Sequence, residues 1–92
     1  MADFAAREVR RILVGKLGCE QRNTDHLVFD LVVDGKVVAW TKISHGAKAI
    51  PDGLVAAMAR QLKVRPGTFR GLISCNVQKD DFIRETIATL GS

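Results

Sequence analysis

The dipeptide Asp34-Gly35 sits between two runs rich in β-branched residues, 26–33 and 36–43. A type I′ turn needs two successive residues with positive φ, and Asp-Gly adopts it readily while matching the twist of the flanking strands. A two-residue reversal would place Val33 opposite Lys36, and every pair behind it follows from strict alternation of side chains. In that register Leu27, Phe29, Leu31 and Val33 share a face with Lys42, Trp40, Val38 and Lys36. Phe29 then lies across from Trp40, and this heavier face is expected to pack beneath helices. The opposite face carries Thr24, His26, Val28, Asp30 and Val32 against His45, Ile43, Thr41, Ala39 and Val37. His26 and His45, the chain's two histidines, are thereby expected as diagonal neighbours on the less apolar face, roughly 7–8 Å apart.

Helical periodicity brackets the hairpin. Val9, Ile12, Leu13 and Leu17 recur at helical spacing after Asp3, a candidate N-cap, and Gly18 is a natural stop, so a helix is expected over 4–17. Residues 19–22 read as a short strand entering the hairpin, and 46–51 as a loop. Asp52 is expected to cap a helix with Leu54, Val55, Met58 and Leu62 inside and Arg60 and Lys63 outside. Pro66 suits the first turn of a short helix bearing Phe69, Leu72 and Ile73. Over 79–90, Phe82, Ile83, Ile87 and Leu90 form a last stripe, with Asp80 and Asp81 complementing the helix dipole. The order is helix, antiparallel hairpin or three-stranded sheet, then three helices: an α+β domain spanning 1–92.

Ninety-two residues suit one domain. No apolar run is long enough to span a bilayer, and no secretory h-region opens the chain, so a cytoplasmic protein without a membrane partner is expected. Cys19 and Cys75 form no CxxC pair and read as reduced, buried, small apolar residues. Net charge is +4. Its distribution is more informative: residues 49–79 carry five cations against Asp52 alone, a balance that suits a polyanionic partner.

The stretches "KLGCEQ", "NTDHLVFDL", "TKISHGAKAI" and "PDGLVAAMARQL" resemble the landmarks of the HicA family, toxins of prokaryotic toxin–antitoxin pairs. The resemblance covers residues 5–64, leaving 65–92 as a C-terminal helical extension of a longer, divergent branch. Thr24-Asp25 stands where the family has Gly-Ser before its histidine, and Ile43 where it often has Pro. The resemblance implies a fold like that of double-stranded-RNA-binding domains, with helix, three-stranded antiparallel sheet and helix. It also implies a metal-free endoribonuclease (an mRNA interferase) that acts through the strand histidine, here His26, and an antitoxin partner of the HicB type.

That chemistry is reasonable for imidazoles. Cleavage by internal attack needs a base for the 2′-hydroxyl proton and an acid for the leaving oxygen, and histidine titrates near neutrality. His45 is the candidate second group through the hairpin register, with Thr24 directly across to orient it. No cofactor is implied. Metal binding is not expected: Asp30 lies roughly 13 Å along the strand from His26, and Asp25 points to the other face. Ser44 adjoins His45 but points away from it. The candidate RNA contacts are Lys42, Lys48, Arg60 and Lys63, the last three grouped as a phosphate surface, whereas Arg7, Arg10 and Arg11 read as a solvated helix face. Two rival functions stand beside ribonuclease: a non-catalytic nucleic-acid-binding module, and an interaction domain using Val28, Val32, Val37 and Ile43 to pair with a partner or with itself.

Overall fold

Asp34 and Gly35 both have positive φ, 53° and 79°, and Val33 pairs with Lys36: the tight turn forms as its sequence requires. The computed structural model describes residues 3–91. Strands β2 (Glu20–Asn23), β3 (Leu27–Val33) and β4 (Lys36–Ile43) make an antiparallel sheet in the order β2-β3-β4. Four helical segments complete an α+β architecture: α1 (Ala6–Arg11), continued by a π-helical stretch Ile12–Lys16, then α2 (Asp52–Gln61), α3 (Pro66–Ile73) and α4 (Lys79–Leu90).

The register behind the turn departs from the expected one. Val32 pairs with Val37, but Leu31 pairs with Ala39, leaving Val38 as an extra residue in a β-bulge. Because side chains alternate, one inserted residue exchanges the faces of all of β4 beyond it. Phe29 therefore lies opposite Thr41, not Trp40, and Trp40 lies opposite Asp30. Ala39, Thr41 and Ile43 turn inward, while Trp40 (48% exposed) and Lys42 turn outward. The physical reason is the lysine: the unbulged register would aim Lys42 at the core, where an unpaired ammonium is costly. Ile43 is 2% exposed and Val28 is buried, so the apolar outer face expected from Val28, Val32, Val37 and Ile43 does not exist.

Buried polar groups on the sheet are satisfied individually. Asp30 accepts a bidentate pair from Arg22, Nε at 2.7 Å and Nη2 at 3.1 Å. The Thr41 hydroxyl donates to Gln61 Oε1 at 2.6 Å, tying β4 to the end of α2. A second, two-residue ladder joins β1 (Phe4–Ala5) to β5 (Ala49–Ile50). It lies within the segments read as helix start and loop, and it is too short for periodicity to reveal. It also replaces the expected Asp3 cap: Ala5 is the N-cap residue, and the Ala6 N–H donates to the Lys48 carbonyl at 3.0 Å.

Asp52 does not cap α2 either. Pro51 holds that position, and the Asp52 carboxylate instead receives Arg70 Nε at 2.6 Å and Nη2 at 2.8 Å. The buried stripe of α2 and its C-terminus is Val55, Met58, Ala59 and Leu62; Leu54, expected inside, is 45% exposed. On α4 Phe82 is buried as expected, but Ile87 and Leu90 are exposed, and Thr86 is buried in their stead. Its hydroxyl donates to the Leu62 carbonyl at 3.0 Å, so the polar group at the C-terminus of α2 finds a partner on α4. Phe69 and Phe82 meet edge to face, centroids 6.2 Å apart. They join Leu13, Phe29, Leu31, Ile50 and Met58 in a continuous hydrophobic cluster, so α3 and α4 belong to the same core as the sheet.

α2 and α3 end alike. The Lys63 N–H donates to the Arg60 carbonyl and the Val64 N–H to that of Ala59; the Cys75 N–H donates to Leu72 and the Asn76 N–H to Gly71. These are Schellman closures, and they put Lys63 and Cys75 at φ of 65° and 67°. Cys75 is consequently exposed, contrary to its expected burial, whereas Cys19 is buried. After α3 the chain turns so tightly that a Cβ on Gly71 would come within 2.5 Å of Val77 Cγ2. Gly71→Ala should therefore lower the thermal midpoint by several degrees in calorimetry, although alanine favours a helix by about 1 kcal/mol.

At the start of α3, Glu85 of α4 takes the place of a side-chain cap. Its carboxylate accepts the Arg65 N–H at 2.6 Å and the Thr68 hydroxyl at 2.7 Å. Burial pushes the Glu85 carboxyl up, but the hydrogen bonds from Thr68 and Arg65 and the Arg65 charge together hold it below the ordinary value. A lowered folded value means that the stabilisation is full above pH 4.5 and is lost as the pH falls through the folded value. Glu85→Ala should cost about 1 kcal/mol at pH 7 in urea denaturation. The gap from wild type should close on acidification below that range.

Candidate nucleic-acid interface

Both histidines lie just beyond the sheet, because the β3–β4 ladder ends at Leu27–Ile43. His26 is half-buried in the turn between β2 and β3, and His45 is exposed after β4. The expected placement on one strand face is thus replaced by a contact between loops. The backbone N–H and hydroxyl of Thr24 both donate to the His26 carbonyl, at 3.0 Å and 3.2 Å, closing the turn. The Thr24 carbonyl in turn lies 2.9 Å from His45 Nε2. Since a carbonyl only accepts, Nε2 carries the hydrogen, and in the neutral ring Nδ1 keeps its lone pair. Thr24 does orient His45, but through its main chain and not its hydroxyl. Thr24 so links the His26 main chain to the His45 ring, and Nδ1 of His45 makes no hydrogen bond among the described residues.

The cations sort differently from their sequence order. The β1–β5 ladder brings Lys48 over the first turns of α1, where Arg7 and Arg10 stand three residues apart on neighbouring positions. Together with Ala5 and Ala47 these three line a surface depression of about 230 Å³, and no lining residue is acidic. Glu8, beside them on α1, is engaged by Arg11, which holds its carboxyl below the ordinary range through their hydrogen bond. Among the described residues the side chains of Arg10 and Lys48 have no hydrogen bond or ion pair. The turn closed by the Ala47 N–H and the Ser44 carbonyl, 3.2 Å apart, connects this depression directly to His45.

Arg60 and Lys63 occupy another place. They line a depression with Val64, Arg65, Glu85 and Thr89, where a carboxylate is already present. Lys48 therefore belongs with Arg7 and Arg10 and not with Arg60 and Lys63, as their proximity in sequence had suggested. Lys42 stands on the outer face of the sheet, opposite Val28. Arg7 and Arg10 are the residues that sequence reasoning assigned to plain solvent. Their i, i+3 spacing was visible, but the third cation reaches them only through the β1–β5 pairing, which local pattern does not disclose.

Nucleophilic chemistry at the Cys19 sulfur has no support here. Burial, with a smaller contribution from Asp30 and against Lys79, pushes the Cys19 thiol up to about 12, so it stays protonated at neutral pH. Among the described residues no group of three or more His, Cys, Asp or Glu is arranged to hold a metal ion. None of the described helices is long and apolar enough to cross a membrane. No protein-family model matches the chain, and no curated protein or solved structure matches it significantly.

Proposed function

We propose that this protein binds RNA, holding the phosphate backbone at Arg7, Arg10 and Lys48. The observation that carries the reading is the convergence of three cations on one depression without a carboxylate among its lining residues. Such a cluster is expensive to assemble, because like charges repel, and it is relieved by a polyanion whose condensed counterions are released on binding. Lys42, Arg60 and Lys63 extend the positive surface as outlying contacts. The resemblance to HicA toxins favours RNA within the polyanions, and the sequence of helix, three-stranded sheet and helix suits recognition of backbone shape.

The same reading extends to metal-independent cleavage at the loop pair bearing His26 and His45. In that reaction Nδ1 of His45 takes the proton from a 2′-hydroxyl, the freed oxygen attacks the adjacent phosphorus, and the bond to the 5′ oxygen breaks. His26, protonated, donates to that leaving oxygen. The products are a 2′,3′-cyclic phosphate and a 5′-hydroxyl, with no water or metal consumed. The turn that closes on Lys48 would hold a phosphate near these rings. An antitoxin partner of the HicB type and a cytoplasmic location belong to this reading through the resemblance, and the unpaired Cys19 and Cys75 suit a reducing compartment.

Binding of labelled RNA measured by anisotropy across a salt series tests the first part. Affinity should fall steeply with salt, and Arg10→Ala and Lys48→Ala should each reduce the slope by roughly one. Affinity that is flat in salt would remove the polyanion reading. For the second part, RNA incubated with protein in chelator should yield cyclic-phosphate ends, and His26→Ala or His45→Ala should slow their appearance by about 100-fold or more while leaving binding intact. Cleavage indifferent to both substitutions would leave a binding module without this chemistry.

A further inference from the structure

The outer face of the sheet holds a side chain that the backbone-binding site does not use. Trp40 is 48% exposed although it lies in the middle of β4. The bulge at Val38 is what turns it out. Its surroundings are ordered by pairing: one cross-strand row runs Glu20–Asp30–Trp40, and the next runs Arg22–Val28–Lys42. Trp40 is thus flanked along its own strand by Lys42, one same-face step or about 6.6 Å away. Asp30, the carboxylate directly across, is occupied on both oxygens by Arg22. The carboxylate that faces Trp40 is thus neutralised, Glu20 lies a strand further away at the sheet edge, and the Lys42 side chain has no hydrogen bond or ion pair among the described residues.

We propose that this face takes an unpaired RNA base stacked on the Trp40 indole, with the attached phosphate at Lys42. The inference rests on the RNA-binding reading and narrows its substrate to RNA with single-stranded or looped segments. Size favours a base over a protein. The large apolar side chains exposed on this face are Trp40 and Val37, since Val28 is buried and Ile43 faces the core. That is the scale of one ring, far short of the roughly 800 Å² per partner of a standard protein interface. Charge favours a nucleotide too, because the exposed ring lies one row from the free Lys42 ammonium and directly across from an Asp30 carboxylate that Arg22 neutralises. The direction of β4 then matters: a strand leaving Trp40 past Lys42 runs toward Ile43 and the loop that carries His45. Stacking supplies affinity without sequence preference, since every base has a π face.

Trp40 is the chain's one tryptophan, so its emission reports the contact directly. The protein is titrated with an unstructured pyrimidine oligoribonucleotide and with a blunt RNA duplex of equal length. The single strand should quench the emission, and Trp40→Ala should weaken its binding about tenfold or more while duplex affinity changes less than twofold. Trp40→Phe, which keeps an aromatic face, should retain much of the single-strand affinity, and circular dichroism should show both variants folded. Salt-dependent binding of both RNAs with no quenching, or with affinity unchanged in Trp40→Ala, overturns the stacking site and leaves the phosphate cluster standing. No binding of either RNA overturns both. A wild-type dimer that becomes monomeric in Trp40→Ala by sedimentation would assign the face to a second copy of the chain and overturn the proposal.

Discussion

The extra residue at Val38 decides which side of the sheet meets the helices. Seen from the turn, two pairs form in simple register before the bulge, and every residue of β4 beyond it has exchanged faces. Thr41 and Ile43 enter the core, and Trp40 and Lys42 leave it. The packing of α2 against β4 follows, because Thr41 can meet Gln61 only from the inner face. The open face follows as well, since its exposed ring and its free ammonium are both set there by the same local insertion. A single-residue change in register moves whole rows of side chains, so this one feature governs more of the molecule than any individual contact.

A second constraint runs through the helix ends. None of α1, α2, α3 or α4 has a side-chain cap from its own N-cap residue. The polar groups there are met across the fold: the Lys48 carbonyl at the start of α1, Glu85 at the start of α3, and Thr86 at the end of α2. Lys16 adds a link from the first helical segment to the Leu72 carbonyl at the end of α3. Each of these partners is distant in sequence. The helices are therefore mutually supporting rather than independently stable, in keeping with their short lengths, and α3 and α4 are bound into the core rather than appended to it.

The same division shows in the charges. Half of the acidic residues are committed within the protein: Asp30 to Arg22, Asp52 to Arg70, Glu85 to Arg65 and Thr68, Glu8 to Arg11 and Asp81 to Arg84. The side chains of Arg10, Lys48 and Lys42 are uncommitted among the described residues, as are the carboxylates of Asp3, Glu20, Asp25, Asp34 and Asp80, none of which lines the depression of Arg7, Arg10 and Lys48. The net charge of +4 resides in this remainder, since the ion pairs cancel one for one, and Arg7, Arg10 and Lys48 concentrate part of it in one depression. The contact between Thr24 and His45 fixes an exposed imidazole in the turn that leads to Lys48, not in a buried, apolar setting.

Strong local chemistry was legible in the sequence. Asp34-Gly35 dictated its turn, Gly18 the end of the first helical segment, Pro66 the start of α3, and the apolar spacings the existence of each long helix, because these depend on φ preferences and periodicity within a few residues. Tertiary structure alone determined the bulge, the β1–β5 ladder and the gathering of Arg7, Arg10 and Lys48. Those outcomes weigh burying Lys42 against distorting a strand, and a two-residue pairing against the chain that must fold back to form it. The ladder joins groups more than forty residues apart in the chain, as Ala5 and Ala49 are, and the bulge depends on which face of the sheet the helices cover, so no local pattern contains both sides of either balance.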